Sequence, residues 1–336
     1  MANNQAPAIR VLRQVVLHRT DSASGPTDRV MVTPMKINFI AGLVLLLFSC
    51  ATSIFSVNPS CAEDTSVSDL LKANGIRSDS DRLFSIWVNE EKANQDGASS
   101  WQHEEGAVIR GPVTEKRIYL VFTGHEYAEG GEVIRKALTM QRIKASFFFT
   151  GDFYRNKSFQ SIIRKLRRDG HYLGPHSDKH LLYVDWKDRQ HLLVDQESFK
   201  KDLRDNYEAM KKHGIDPRRA GIFIPPFEWF NQTISQWARS AGVTLINYTP
   251  GTISYTDYKS PLDNGRYYSS KEIHAQILEY EQKDPFGLNG FILLFHIGAG
   301  PGRPDKFFLR LESLLVELKK RGYFFSRVDT MPENPK

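Results

Sequence analysis

Two histidines four residues apart, His176 and His180, are the residues whose type and spacing could do chemistry. They follow the short apolar segment Tyr172-Leu173. On a helical turn, residues i and i+4 face the same way, so both imidazoles could reach one ion. Neutral imidazole is a good ligand for zinc and similar divalent metals, although two of ten histidines can also share this spacing by chance. A metal site therefore needs a third ligand from elsewhere in the chain.

The elements that would position these residues begin near Arg117, where apolar runs of strand length alternate with segments of helical periodicity. The predicted strands are 118–122, 145–149, 172–173, 221–224, 243–247, 291–295 and 323–327. The predicted helices are 132–142, 158–168, 196–212, 233–240, 271–281 and 307–321. Repeated strand–helix units with nearly continuous apolar strands predict an α/β domain with a parallel sheet, open or closed into a barrel.

Polar residues follow four of these strands, and ligands collect at the carboxyl ends of parallel strands. His125 and Glu126 follow the first strand, Glu228 follows the fourth, and His296 follows the sixth. A lone histidine after a strand is more often structural, but together with the His176–His180 pair these residues should meet on one rim. The sequence therefore predicts a metal-dependent hydrolase.

Composition narrows the chemistry further. The chain has 336 residues, of which 40% are hydrophobic and 25% charged, as in ordinary globular proteins. Its formal charge of +6 is spread along the sequence, and we find no nucleic-acid-binding motif. The only cysteines, Cys50 and Cys61, lie in or beside an apolar N-terminal segment, so thiol nucleophiles are excluded from the rest. Any metal there must be held by histidines and carboxylates.

The N-terminal third is divided into three segments. Residues 1–34 are either an unusually long n-region or an artefact of a start codon placed before Met35, and we prefer the second. Residues 35–62 are typical of a signal peptide. Cleavage after Ala62, lipidation at Cys50 and a retained membrane anchor are its alternative fates. Residues 63–116 form a loop-rich lead-in, and 117–330 the catalytic domain. This organisation predicts export to the periplasm, the cell envelope or the exterior.

From about Arg117 to Val328 the chain resembles the polysaccharide deacetylase family, the NodB-homology domain of carbohydrate esterase family 4. His176–His180 resembles the family's His-Ser/Thr-x-x-His metal motif, and Lys144–Gly151 its Lys-Ala-Thr-Phe-Phe strand. Leu294–His296 resembles its Leu-x-His motif. The resemblance implies a distorted (β/α) barrel and a divalent metal, usually zinc, that activates water to remove acetyl groups from sugars.

The departures from the family concern the catalytic base. The family's first motif is Thr-Phe-Asp-Asp-Gly, in which one Asp is the base and the next binds metal. The register we favour puts Gly124 at the base and His125 at the metal ligand. A shift by one residue would make His125 the base and Glu126 the ligand. The arginine that tethers the family's base is Ile224 here. The chain is thus identified as a divergent member with an altered base.

The favoured register implies a three-histidine site of His125, His176 and His180 that binds zinc or another divalent transition metal. Two carboxylates could replace the missing base, Glu126 first and Glu228 second. The alternative for each is a solvent-facing loop residue without a catalytic role. His296 would be the general acid that protonates the leaving group.

The substrate side is assigned to Phe227, Trp229 and Asp257. The aromatic rings could contact sugar rings, and a backbone N–H near Phe227 could stabilise the oxyanion. Asp257 is also the one candidate for orienting His296. The predicted function is removal of N- or O-linked acetyl groups from a polysaccharide or oligosaccharide. The alternatives are a degenerate domain that binds metal and carbohydrate without efficient catalysis, and a membrane-anchored scaffold without chemistry.

Overall fold

A computed structural model describes residues 101–263 and 266–331. The predicted extension 1–34, the signal segment 35–62 and most of the lead-in 63–116 lie outside the described residues. Within the described part of the chain, none of the helices combines the length and the apolar character needed to cross a bilayer.

The strands of the described chain form one large and one small sheet. They are β1 (Gln102–Glu104), β2 (Ala107–Arg110), β3 (Arg117–Gly124), β4 (Ser146–Phe149), β5 (Tyr172–Pro175), β6 (Ile222–Phe223), β7 (Thr244–Leu245), β8 (Phe291–His296) and β9 (Phe324–Ser326). The large sheet has the order β1-β2-β8-β3-β4-β5, and β6 pairs with β7 in the small one. β3 lies at the centre of the large sheet and runs parallel to β8. The second half of β3 also pairs with β4, and its first half with β9, both in parallel.

The two sheets are linked at two places. Val108, in β2, forms a parallel bridge with Ile246, which follows β7. On the other side, the Tyr172 hydroxyl of β5 donates to the Ile222 carbonyl of β6 (3.3 Å) and accepts from the Ile222 N–H (3.0 Å). These contacts curl the strands into a distorted barrel, which confirms the fold predicted from the sequence.

The helices lie around the sheet. They are α1 (Gly131–Met140), α2 (Gly151–Arg155), α3 (Gln160–Arg168), α4 (Gln196–Lys211), α5 (Gln232–Ser240), α6 (Ser270–Lys283) and α7 (Leu311–Lys320). α7 buries Leu311, Leu314, Leu315 and Leu318, the stripe that its helical spacing predicts. α4 begins at Asp195, whose carboxylate accepts from the Ser198 N–H.

Two departures from the predicted pattern have a common cause. β1 and β2 lie within the stretch predicted to be loop-rich, and α2 follows β4 where no helix was predicted. These elements are three, four and five residues long, too short to show a periodicity. α2 is instead started by the Thr150 hydroxyl, which accepts from the Phe153 N–H at 3.1 Å.

Candidate active site

One cleft of about 430 Å³ opens at the carboxyl ends of β3, β5 and β8. Seven of the nine predicted site residues line it: His125, Glu126, His176, His180, Phe227, Glu228 and His296. Of the other two, Asp257 contacts the lining residue His296, whereas the Trp229 ring packs against Trp186, which is not part of the lining. The volume of the cleft lies within the range found for small-molecule sites. The convergence follows from the parallel strands, which deliver their carboxyl ends to the same rim.

The pair His176 and His180 does not lie on a helical turn, contrary to the prediction from its spacing. It occupies a loop after β5, in which Ser177 (φ 72°) and His180 (φ 56°) adopt left-handed backbone conformations. Such conformations are uncommon without glycine, and they turn the chain as sharply as a helix would. The two rings still meet, with centroids 5.1 Å apart.

Buried polar contacts fix this loop from below. Arg155 of α2 holds the buried Asp178 carboxylate through two hydrogen bonds, of 2.7 and 2.9 Å. The Asp202 carboxylate of α4 accepts from the Asp178 N–H (3.1 Å) and the Tyr183 hydroxyl (2.7 Å). Bidentate arginine–carboxylate pairs add geometric specificity as well as energy, so the loop is positioned by α2 and α4 together.

Both histidines are kept in the neutral form that can bind a metal. Burial lowers the pKa of His176 to about 3 and that of His180 to about 2. The Nδ1 atom of His176 lies 2.8 Å from the Ile224 carbonyl, which leaves Nε2 as the nitrogen available to a ligand. Ile224, which stands where the family has its arginine, is fully buried and serves the site through its backbone.

His125 brings the third imidazole from the end of β3. Its Nδ1 atom lies 3.1 Å from the Thr150 hydroxyl, and its ring stacks on that of His180 with centroids 4.7 Å apart and planes 10° from parallel. Three imidazoles, two of which have an Nδ1 atom held by an oxygen, are a donor set that suits zinc.

The ring positions suit a metal less well than the donor set does. Parallel stacked rings do not direct their lone pairs at a common point, and no three His, Cys, Asp or Glu side chains in residues 101–263 and 266–331 are arranged to hold an ion. The His125 side chain is 30% exposed and therefore has room to turn. Metal binding at this site thus requires a rotation of that ring.

A second functional group is His296 with Asp257. The Asp257 carboxylate lies 2.7 Å from Nδ1 of His296 and accepts from the His296 backbone N–H at 3.0 Å. Burial alone would lower the pKa of His296, but the charge and hydrogen bond of Asp257, with the Glu228 charge, raise it above its ordinary value. Asp257 thus contacts His296 directly, and its side chain is almost fully buried behind that ring.

The two candidate carboxylates differ in environment. The Glu126 side chain is 64% exposed and lies 3.9 Å from His125. Glu228 is half-buried in the cleft wall, and burial, with a smaller contribution from Asp257, raises its pKa to about 7 against the attraction of His296. Phe227 (φ 60°) and Glu228 (φ 53°) are consecutive left-handed residues, an arrangement whose strain the surrounding structure must stabilise.

Gly124, at the family's base position in the favoured register, has no room for a side chain. A Cβ atom there would lie 2.7 Å from Cγ2 of Ile297 and 2.9 Å from Cδ1 of Phe149. Both neighbours are fully buried. Beside it, the Thr123 hydroxyl is buried with no hydrogen-bond partner in the described chain, although Thr123 lines the cleft.

Aromatic rings form one wall of the cleft, and the sequence indicated only part of it. The Phe227 and His180 ring centroids lie 4.3 Å apart. The sequence did not single out Trp186, which contacts both Phe227 (5.6 Å) and Trp229 (5.8 Å). A tryptophan between Asp185 and Lys187, in a polar stretch outside any predicted element, was the one available signal.

Comparisons with known proteins agree with this architecture. A family model for polysaccharide deacetylases matches residues 110–246. The chain is 23% identical over 229 residues to the peptidoglycan-N-acetylmuramic acid deacetylase PdaA of Bacillus subtilis, covering 67% of this chain and 74% of that protein. It is 24% identical over 220 residues to a peptidoglycan-N-acetylglucosamine deacetylase of Bacillus cereus, covering 66% of this chain and 90% of that one.

Solved structures share the fold. A carbohydrate esterase family 4 pseudoenzyme from Bacillus anthracis superposes with a TM-score of 0.52 at 17% identity, covering 68% of this chain and 69% of that one. A mutant of that pseudoenzyme with restored enzymatic activity gives 0.53 at 17% identity, covering 68% and 72%. Bacillus subtilis PdaA gives 0.52 at 20% identity, covering 68% and 85%. The comparisons are therefore consistent with a divergent polysaccharide deacetylase domain, and the solved structures show that the fold is shared.

Proposed function

We propose that this domain hydrolyses acetyl groups, N- or O-linked, from a polysaccharide or oligosaccharide, with a divalent metal and with Glu228 as a non-standard base. The observation that carries the proposal is the presence, in one cleft, of a half-buried carboxyl with its pKa raised to about 7 and a histidine oriented by a buried aspartate. Acyl transfer to water needs a base and an acid whose pKa values are separated by their environments.

The metal, zinc first among the candidates, would be held by His125, His176 and His180, with the His125 ring turned out of its stack. When bound, such an ion lowers the pKa of water and polarises the acetyl carbonyl. The protein's own contribution is to hold imidazoles at the end of β3 and after β5, of which His176 and His180 are kept neutral by burial. The loop contacts of Asp178 and Asp202 keep two of those rings in place.

Glu228 is the base that the environment of the cleft favours. A group whose pKa lies near 7 can take a proton from water in the cleft and release it again at neutral pH. Glu126 is largely exposed, so solvent screens its charge and leaves its side chain free to move. Both carboxylates were predicted as candidates, and burial is the property that separates them.

His296 would then protonate the leaving nitrogen or oxygen of the sugar. Asp257 fixes its Nδ1 atom, so that Nε2 is the atom available to the substrate. The raised pKa of His296 favours the protonated form that a general acid requires. The backbone N–H of Phe227 itself is proposed to stabilise the oxyanion, because a backbone donor needs no particular side chain and the Glu228 N–H already donates to the Pro225 carbonyl at 3.1 Å.

The experiment compares acetate release from N-acetylated and O-acetylated oligosaccharides by the wild type, Glu228→Gln and the matched control Glu126→Gln, each with added zinc and with a chelator. We expect Glu228→Gln to lose a factor of about 10²–10⁴, and Glu126→Gln much less. Equal activity in wild type and Glu228→Gln would contradict the assignment of the base. Zinc content is measured on the same samples and on His176→Ala.

A second candidate function is binding of metal and sugar without efficient catalysis. The stacked His125 and His180 rings and the closed position at Gly124 favour it. Measurable binding of an acetylated oligosaccharide, with no acetate released from any substrate, would select this function. For either function we propose that the protein works outside the cytoplasm, because relatives are named for peptidoglycan and residues 35–62 are typical of a signal peptide. Cell fractionation tests this.

A further inference from the structure

An exposed tryptophan continues the aromatic wall beyond the cleft. The Trp186 ring is stacked on the Trp229 ring, with centroids 5.8 Å apart and planes 23° from parallel. Its edge meets Phe227 at 5.6 Å and 78°. Trp186 nevertheless remains 56% exposed, which is high for so large an apolar side chain. Because Trp229 covers one face of the indole, the opposite face accounts for this exposure.

The ring is held in place before anything binds. The Trp229 indole N–H donates to the Asp185 carbonyl at 3.1 Å, and the Arg189 guanidinium lies 4.6 Å from the centre of the Trp229 ring. The Asp185 carboxylate accepts from the Lys187 N–H at 2.7 Å and closes the turn that carries Trp186. A ligand that stacks on Trp186 therefore loses little free energy to ordering of the protein.

The position of this ring relates it to the cleft. Phe227 lines the cleft and contacts His180, and Trp186, which is not part of the cleft lining, contacts Phe227 in turn. Phe227 is itself 39% exposed. Trp186 and Phe227 thus form a continuous aromatic surface that begins at the histidines and extends outward by one ring.

We propose that Trp186, supported by Trp229, is a stacking subsite for a pyranose ring of the same polymer, next to the sugar whose acetyl group enters the cleft. This inference rests on the proposed function. A β-linked amino sugar presents an apolar face of C–H groups surrounded by polar hydroxyl groups. A flat aromatic ring with a solvent-exposed edge complements this face. Stacking of this kind adds affinity without selecting one acetylation site.

The consequence is a preference for oligomers over single sugars. A monosaccharide can fill the cleft but not reach Trp186, whereas a longer chain occupies both. Loss of the indole should therefore weaken oligomer binding and leave monosaccharide binding unchanged. A residue with a merely structural role would affect both ligands alike.

The test measures dissociation constants by calorimetry for the N-acetylglucosamine tetramer and for the monosaccharide, with the full chain in a Glu228→Gln background that prevents turnover. We expect the tetramer to bind at least tenfold more tightly than the monosaccharide. Trp186→Ala should remove most of that difference, and Trp186→Phe should keep it within about threefold. The matched control is Phe286→Ala, an aromatic residue 48% exposed that precedes β8 at the opposite end from His296.

Either of two results would overturn the inference: no tetramer binding by the parent, or a tetramer affinity that Trp186→Ala leaves unchanged. The failure of the proposed function is separate, because it appears in acetate release by the protein with Glu228 intact. Binding that depends on Trp186 without acetate release would refute the hydrolase and keep the subsite. Acetate release from the tetramer with equal kcat/KM in wild type and Trp186→Ala would keep the hydrolase and refute the subsite.

Discussion

Replacing Glu228 by glutamine should make the folded domain more stable at alkaline pH while it slows the reaction. The carboxyl group is held in the cleft wall at a pKa of about 7, against an ordinary value of 4.5, chiefly because burial disfavours its charge. A glutamine has nearly the same shape and never ionises. The variant therefore removes the cost of the buried charge together with the group proposed as the base.

The magnitude follows from proton linkage. The gap between the two pKa values of Glu228 is about 2.5, and each unit corresponds to about 1.36 kcal/mol. Because the folded-state pKa of Glu228 is raised, its contribution to the stability of the wild type is complete below pH 4.5. That contribution is lost as the pH rises towards 7. Above pH 7 the loss reaches about 3 kcal/mol. Glu228→Gln should match the wild type at pH 4 and exceed it by about 3 kcal/mol at pH 8.

The measurement is the free energy of unfolding by urea at pH 4 and pH 8, for both proteins, with a chelator present so that no cation alters the carboxyl pKa. Only the difference between the proteins is used, because titrating groups away from Glu228 affect both equally; His296, whose pKa the Glu228 charge raises, contributes to that difference. In the activity assay, the wild type should gain rate as the pH rises through about 7, where Glu228 ionises.

If the two proteins differ in unfolding free energy by the same amount at pH 4 and pH 8, this reasoning is refuted. Such a difference would not come from ionisation of Glu228. A Glu126→Gln variant serves as the control. Its side chain is 64% exposed, so its unfolding free energy should stay within about 0.5 kcal/mol of the wild type at both pH values.

Three further substitutions test the site. Gly124→Asp should lower Tm and give no gain in activity, because Ile297 and Phe149 fill the space that its Cβ needs. Overpacking of this kind costs about 1–3 kcal/mol. A gain in acetate release would contradict this prediction. Asp257→Asn should lower the pKa of His296 and therefore shift the alkaline limb of the pH–rate profile to lower pH, with at least a tenfold loss of rate. An alkaline limb at the same pH would show that Asp257 does not act through His296. Asp178→Asn should lower the free energy of unfolding in urea by about 1–3 kcal/mol, because it breaks the ion pair of the buried Asp178 with the partly exposed Arg155. An unchanged free energy of unfolding would show that this pair does not fix the loop.

The fold was predictable because its strands are nearly continuous apolar runs and its helices carry clear stripes. The meeting of His125, His176, Glu228 and His296 followed from parallel strands, which deliver their carboxyl ends to one rim. Boundaries were accurate for long elements such as α4, whereas β1, β2 and α2 had too few residues to show a period.

What the sequence could not supply depends on tertiary environment. Glu126 and Glu228 look alike as glutamates after strands, and only burial in the cleft wall separates their pKa values. The loop that carries His180 is positioned by contacts of Asp178 with α2 and α4, which the residue type of His180 does not reveal. Trp186 has no pattern around it, because its partner Trp229 is brought beside it by the fold.

The departures at Gly124, Ile224 and Glu228 can be explained as one change rather than three. If Glu228 is the base, the position of Gly124 no longer needs a carboxylate, and Ile297 and Phe149 can pack into the space. An arginine at position 224 would then have no anion to tether, so an apolar side chain fully buried in the core is the stable choice there. We therefore expect Ile224→Arg alone to destabilise the domain by about 3 kcal/mol or more, measured by urea unfolding, because it places an unpaired charge in that core. A variant as stable as the wild type would mean that an anion still lies within reach of residue 224, and that the relocation of the base to Glu228 is the wrong explanation for the three residues.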